Sequence, residues 1–248
     1  MALVPLPISR AQMKKLGERL AASAETSDAD LEQLEEIIAC HQAVLELARS
    51  RLDGLAEATG TSQLHVSQRA KTTQTIIEKL RRQGNMDLAR MQDLAGIRIV
   101  GMISFADQDR LAAEVARWFP ADPRAAKIID RRAKPSYGYR AVHVTVSLDG
   151  LNIEVQIRTF IQHVWADLME RLADRFGRQI RYGGPPDLPA GQDYEKIQAL
   201  IDLMMSMSER WAANDPATSG DPAISPDRIT EMIWRGLSNA LRDEGVDP

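Results

Sequence analysis

Val142-His143-Val144-Thr145-Val146-Ser147-Leu148-Asp149-Gly150-Leu151-Asn152-Ile153-Glu154-Val155-Gln156-Ile157 reads as two alternating strands around a two-residue turn. Asp-Gly supplies the positive φ angles that a tight antiparallel turn needs. With Leu148 opposite Leu151, the residues Val142, Val144, Val146 and Leu148 meet Ile157, Val155, Ile153 and Leu151 on one apolar side. The other side pairs His143 with Gln156, Thr145 with Glu154 and Ser147 with Asn152, and Arg158 lies beyond on that same side. A slip of one residue would bury the carboxylate and expose the valines, so the register is strongly specified. The pattern predicts a sheet with one apolar and one wet face. It presents Glu154 on a rigid platform among polar neighbours.

Helical patterns surround this hairpin. Ser27 with Asp30 marks a helix start, after which Leu31, Leu34, Ile37, Ile38, Val44, Leu45, Leu52 and Leu55 recur at helical spacing. A polar break at residues 59–62 separates that helix from a second element around residues 64–83, which Gly84-Asn85 ends. Residues 95–103 predict a buried strand, 106–119 a helix, and Lys127 to Arg132 a strand. Lys134 to Tyr139 is a loop leading into the hairpin. Ile161, Trp165, Leu168, Leu172 and Phe176 place a helix over 159–177. A Gly/Pro-rich loop over 181–191 precedes a helix from Tyr194 to near Trp211, whose methionines read as core. A linker over 214–226 then leads to a final amphipathic helix opened by Pro226. The expected class is α+β: a central mixed β-sheet with helices before, between and after the strands.

Composition sets the bounds. The 248 residues are 44% hydrophobic and 27% charged, as in ordinary soluble domains. A net charge of -4 gives no global basic field for nucleic acid. The single cysteine, Cys40, excludes an intrachain disulfide and a cysteine-based metal cluster. No run approaches the ~18 apolar residues of a membrane span. The first residues lack a basic n-region. The expectation is a cytoplasmic protein.

Three segments can carry chemistry. Arg69, Lys71, Lys79, Arg81 and Arg82 crowd one stretch; on a helix beginning near Thr72, the residues Thr75, Lys79 and Arg82 share a face suited to phosphates. A solvated basic face would look the same. Asp93-Leu94-Ala95-Gly96-Ile97-Arg98 sets an acid before a buried strand and an arginine inside it. Such a carboxylate can hold a hard cation such as Mg²⁺, or it can simply cap a turn. Tyr137 and Tyr139 can stack on a base or be ordinary strand-edge tyrosines. Metal-holding acid, base near an acceptor hydroxyl and cations on phosphate are what phosphoryl transfer requires.

The order of Arg69-Ala70-Lys71-Thr72-Thr73-Gln74-Thr75, Asp93 to Arg98, Gly138-Tyr139-Arg140-Ala141-Val142-His143, Glu154-Val155-Gln156-Ile157-Arg158-Thr159 and Gln162-His163-Val164-Trp165-Ala166 resembles the synthetase domain of the RelA/SpoT family. The resemblance covers roughly residues 65–175. It implies a nucleotidyltransferase-like fold. It implies transfer of the β,γ-pyrophosphate of ATP to the 3′-hydroxyl of GDP or GTP, with Mg²⁺, making (p)ppGpp. Asp93 and Glu154 would hold the metal, and Glu154 would activate the acceptor hydroxyl. Arg69 and Arg98 would sandwich the adenine, while Lys71, Thr75, Lys79 and Arg82 hold the ATP phosphates. Tyr139 would stack on the guanine, with Lys134, His143, Gln156 and Arg158 on the acceptor nucleotide.

The chain departs from the family pattern in places. Tyr137 is an extra residue before Gly-Tyr-Arg, which bears on the purine pocket; Thr75 stands where serine is common; Met169-Glu170-Arg171 replaces a Glu-His pair. No histidine–aspartate hydrolase signature precedes the synthetase, so the resemblance implies a synthetase-only member. The expected layout is a helical extension over 1–60, a pyrophosphotransferase domain over 61–190 and a helical extension over 191–248. Some small members instead pyrophosphorylate the 3′-end of tRNA as toxins neutralised by an antitoxin partner, or make an adenine alarmone. Arg124, Lys127, Arg131, Arg132, Lys134 and Arg140 form a basic stretch that a tRNA end can use. The terminal helices would suit a homo-oligomer or such a partner.

Overall fold

The computed structural model of the chain describes residues 6–22, 25–61, 64–119, 126–187 and 194–213. Within them, five strands form one mixed sheet flanked by seven helices, the α+β architecture expected. In chain order these are α1 (Arg10–Ala22), α2 (Asp28–Arg51), α3 (Leu55–Thr59), β1 (His65–Ala70), α4 (Thr73–Gln83), β2 (Ala95–Gly101), α5 (Phe105–Trp118), β3 (Lys127–Asp130), β4 (Val142–Leu148), β5 (Leu151–Thr159), α6 (Phe160–Phe176) and α7 (Tyr194–Ala213). The strand order across the sheet is β1-β2-β5-β4-β3. The linker over 214–226 and the helix from Pro226 lie outside the described residues, as does Arg124.

The β4–β5 turn has φ of 53° at Asp149 and 78° at Gly150, the positive pair that a two-residue hairpin demands. One side of both strands is fully buried, as expected. The wet face is confined to β5, where Asn152, Glu154 and Gln156 are half-buried. On β4 the expectation fails: His143, Thr145 and Ser147 are buried too, at 8%, 6% and 8% exposure. Neighbouring side chains close that face, with the Glu154 carboxylate reaching diagonally to His143.

Two further expectations are corrected. The element over 64–83 is not one helix, because β1 occupies its first part and α4 begins only at Thr73. His65 to Ala70 is a polar edge strand without apolar alternation, so its pairing with β2 leaves no periodic signal. The helix over 28–59 also breaks early. It turns at Leu52 to Gly54, where Gly54 takes φ of 84°. The loop after α6 starts with a 3-10 turn over Arg178–Tyr182.

By contacts between Cα atoms the chain divides into two compact units. The first comprises Met1–Ile99, Asp109–Ile129 and His143–Ile157, and so holds most of the sheet. Its helical core joins Leu16 and Leu20 of α1, Leu34 and Ile37 of α2, and Ile76 and Leu80 of α4. Gly17 lets α1 approach closely: a Cβ there would lie 2.9 Å from the Leu88 Cβ. The second unit comprises Val100–Gln108, Asp130–Val142 and Arg158–Pro248. Its core packs Trp165, Leu168, Leu172 and Phe176 of α6 against Ile197, Leu200, Ile201 and Met204 of α7. The Thr159–Gln162 capping box fixes the start of α6.

Candidate active site

In the first unit, α4 buries Ile76, Ile77 and Leu80, which leaves the face bearing Thr75 and Lys79 turned outward from the core. Thr72 caps the helix. Its side chain accepts from the Thr75 amide, and the Thr75 hydroxyl donates 2.9 Å to the Thr72 carbonyl. The Lys71 amide donates 3.0 Å to the Leu94 carbonyl, pinning the entry of α4 to the loop that carries Asp93. Asp93 is consequently gripped from two sides. Lys79 Nζ donates to both carboxylate oxygens at 2.8 Å, and Lys71 Nζ lies 3.2 Å from Oδ2.

Glu154 is held differently. His143 Nδ1 lies 3.0 Å from Oε1, and Gln156 Nε2 donates to Oε2 at 2.8 Å. An ionised carboxylate only accepts, so the imidazole carries its proton on Nδ1. Burial by itself would raise the Glu154 carboxyl. The His143 hydrogen bond and charge outweigh it, with help from Gln156 and from the Lys79 ammonium, and the carboxyl is pushed down to about 2. Lys79 thus acts electrostatically on both acids.

The backbones of Arg69 and Glu154 flank β2 at Gly96, where a Cβ would lie 3.5 Å from the Arg69 carbonyl and 3.8 Å from that of Glu154. Arg98 shares the Gly96 side of β2, opposite the buried Ile97 and Ile99. Arg82 is exposed at the end of α4. Its neighbour Arg81 turns the other way, with Nε donating 3.3 Å to the Leu20 carbonyl at the end of α1. Asp93, Glu154, Lys71, Thr75, Lys79, Arg69, Arg82, Arg98, His143 and Gln156 therefore all belong to one compact unit.

Tyr139, Lys134 and Arg158 belong to the second. Tyr139 follows a tight reverse turn in which the Ser136 and Tyr139 backbones bond reciprocally at 3.3 and 3.1 Å. Both central residues have positive φ, 51° at Tyr137 and 79° at Gly138. Tyr137, the extra residue, is exposed and its ring covers Gly183. Arg158 is 3% exposed; its guanidinium lies 5.0 Å from the Tyr139 ring centroid and donates 3.0 Å to the phenol oxygen. Lys134 is exposed. In the basic stretch, Arg132 pairs with Asp130 and donates to the Phe105 carbonyl, while Arg140 bonds Ser208 and the Arg132 carbonyl. Burial lowers the Arg140 pKa.

Sequence reasoning missed the double lysine grip on Asp93, the Arg158–Tyr139 contact and the Arg140–Ser208 hydrogen bond. Each joins residues far apart in the chain, and no local spacing encodes any of them.

The profile for the region found in RelA / SpoT proteins matches residues 68–173. The protein Rv1366 of Mycobacterium tuberculosis (strain ATCC 25618 / H37Rv) is 36% identical over 210 residues, 84% of this chain and 75% of that one. The structure of small alarmone synthetase 1 from Bacillus subtilis bound to its product pppGpp superposes with a TM-score of 0.51 at 21% identity, covering 73% of this chain and 94% of that one. Another structure of the same Bacillus protein covers 84% and 99%, again with a TM-score of 0.51 at 21% identity. The fold is that of a small alarmone synthetase. The chain belongs to the RelA/SpoT family.

Proposed function

We propose that this chain is an ATP-dependent pyrophosphotransferase that moves the β,γ-pyrophosphate of ATP to the 3′-hydroxyl of GDP or GTP. The observation that carries the reading is Glu154, held ionised by His143 and Gln156 in the compact unit that also holds the Lys71–Asp93–Lys79 cluster. The acceptor oxygen forms a bond to the β-phosphorus, the bridge to the α-phosphate breaks, and AMP leaves. Glu154 orients the hydroxyl by accepting its hydrogen bond and takes the proton as the new bond forms. A carboxyl near 2 is a weak base in the resting protein, so its work is chiefly orientation and charge until the hydroxyl becomes acidic.

The donor set fits Mg²⁺. Asp93 and Glu154 offer only hard oxygens, and no group of three ligating side chains occurs among the described residues. Mg²⁺ commonly takes one or two carboxylates and completes its shell with waters and substrate phosphates. Held by Asp93 and Glu154, it would neutralise charge developing on the phosphate oxygens. Lys71 and Lys79, which contact Asp93, stand beside it to meet the ATP phosphates. Arg69 and Arg98 take the adenine; Thr75 and Arg82 complete the phosphate contacts. Tyr139 stacks on the acceptor base, Lys134 meets acceptor phosphate, and Arg158 supports the Tyr139 ring.

A tRNA acceptor, with an antitoxin partner, gains little from the basic stretch. Arg132 and Arg140 are engaged internally, which removes two of its cations. The test is incubation with γ-labelled ATP and GDP, GTP or bulk tRNA. Label in a guanosine product is expected. Label on tRNA replaces the acceptor assignment, and no label with any acceptor rejects transfer.

A further inference from the structure

The backbone on either side of Tyr139 is bonded by a helix outside the 68–173 family match, while Arg158, inside it, contacts the ring. The turn before it holds a bulky non-glycine residue, Tyr137, at φ of 51°, a conformation that persists only when its surroundings impose it. At Gly138 no side chain fits, because a Cβ would lie 2.6 Å from Trp165 Cζ2 and 2.8 Å from the Met205 sulfur. Ser208 of α7 reaches both neighbours of Tyr139 with one hydroxyl. It donates to the Gly138 carbonyl and accepts from Arg140 Nε at 3.1 Å. Ser208 is 4% exposed, so water cannot replace either bond cheaply. Trp165 Nε1 donates 2.6 Å to the Met204 carbonyl, fixing α7 to α6 one turn before Ser208.

We propose that Ser208 is a positioning residue that sets the pose of Tyr139 and thereby the affinity for the acceptor base. This rests on the stacking role assigned to Tyr139 above. A hydroxyl bound on both sides of one residue is a two-point latch, and its loss frees the backbone that aims the ring. The residues assigned above to the donor belong to the other compact unit, so the effect is expected on the acceptor alone.

Ser208→Ala and Ser208→Cys are compared with wild type and Tyr139→Ala. Hydrogen exchange of the peptide over 134–142 reads the latch without any ligand; KM for GDP and for ATP reads its consequence. Ser208→Ala is expected to lose protection of that peptide and to raise KM for GDP about tenfold, the effect of losing a hydrogen bond to a charged group. KM for ATP and kcat should stay within about twofold. Ser208→Cys, close in volume and a weaker partner, should move the same way by less. Unchanged exchange in both variants overturns the inference, as does an equal rise in both KM values. So does an unmoved GDP KM when Tyr139→Ala does raise it. If Tyr139→Ala leaves GDP KM unchanged, the stacking role is what fails.

Discussion

The loop before β2 and the strand β5 each offer one carboxylate, and the two are stabilised by opposite means. Asp93 is compensated by two ammonium groups on flexible stems, contacts that exchange readily. Glu154 is fixed by an imidazole and an amide that grow from the same rigid hairpin. A mobile cationic grip suits a site that must hand its cations to an incoming polyanion. A fixed hydrogen-bonded grip suits a group whose direction matters to the reacting oxygen. The difference divides the proposed labour: Asp93 manages charge, and Glu154 manages geometry.

Removing the geometric partner should have the largest effect. Glu154→Gln keeps the shape and the Gln156 neighbour but abolishes the charge, and is expected to lower kcat by about 10³-fold. Binding of a non-hydrolysable ATP analogue without added Mg²⁺, measured by calorimetry, should change by less than about threefold, because the lysine and arginine contacts to phosphate are kept. Near-normal turnover would break the contrast between the two acids.

Lys79→Met comes next. It removes one cation from Asp93 and one proposed for ATP phosphate, so KM for ATP should rise about tenfold to a hundredfold, the worth of a charge-assisted hydrogen bond. It should also raise the Glu154 carboxyl from its depressed value, since the Lys79 field helps to hold it down. Carbon-detected NMR of a glutamate-labelled sample reads that shift directly.

A third measurement isolates Glu154 in the folded protein. Its carboxyl drops from 4.5 to about 2 on folding, so the unfolded chain binds the proton more readily. The resulting stabilisation is complete above pH ~4.5 and fades as pH falls towards ~2, amounting to at most about 3 kcal/mol. Wild type should therefore lose stability relative to Glu154→Gln across that window, read by denaturant unfolding at stepped pH. The acid limb of turnover, in contrast, should not titrate with Glu154 above pH ~4.

What was legible in the chain tracks how local the cause is. Asp149-Gly150 fixes a turn, the turn fixes a register, and the register places Glu154 and Gln156 on one side with His143. The cap at Ser27 is equally local. β1 left no trace because a polar edge strand is defined by its neighbour, and hydrophobic periodicity cannot see a neighbour. Arg158 reads as a residue on the polar side of β5, yet it is buried against Tyr139. Cationic residues were visible as a cluster, but their partners were not. Lys79 finds Asp93 only after α4 and the loop before β2 are brought together.

The smallest expected effect tests that last point on adjacent residues. Arg81 and Arg82 look interchangeable in the cationic cluster over residues 69–82, yet helical geometry turns them to different faces. Arg81 donates to the Leu20 carbonyl, one of the last of α1, and so completes a helix end that would otherwise keep open acceptors. Arg81→Ala should cost about 0.5–1.5 kcal/mol in unfolding free energy and leave KM for ATP unchanged. Arg82→Ala should do the reverse: a stability change within about 0.5 kcal/mol, and a few-fold rise in KM for ATP from the loss of one exposed phosphate contact. Equal KM effects from both would mean that the cluster over residues 69–82 acts as a diffuse field. The assignment of separate roles to the faces of α4 would then fall.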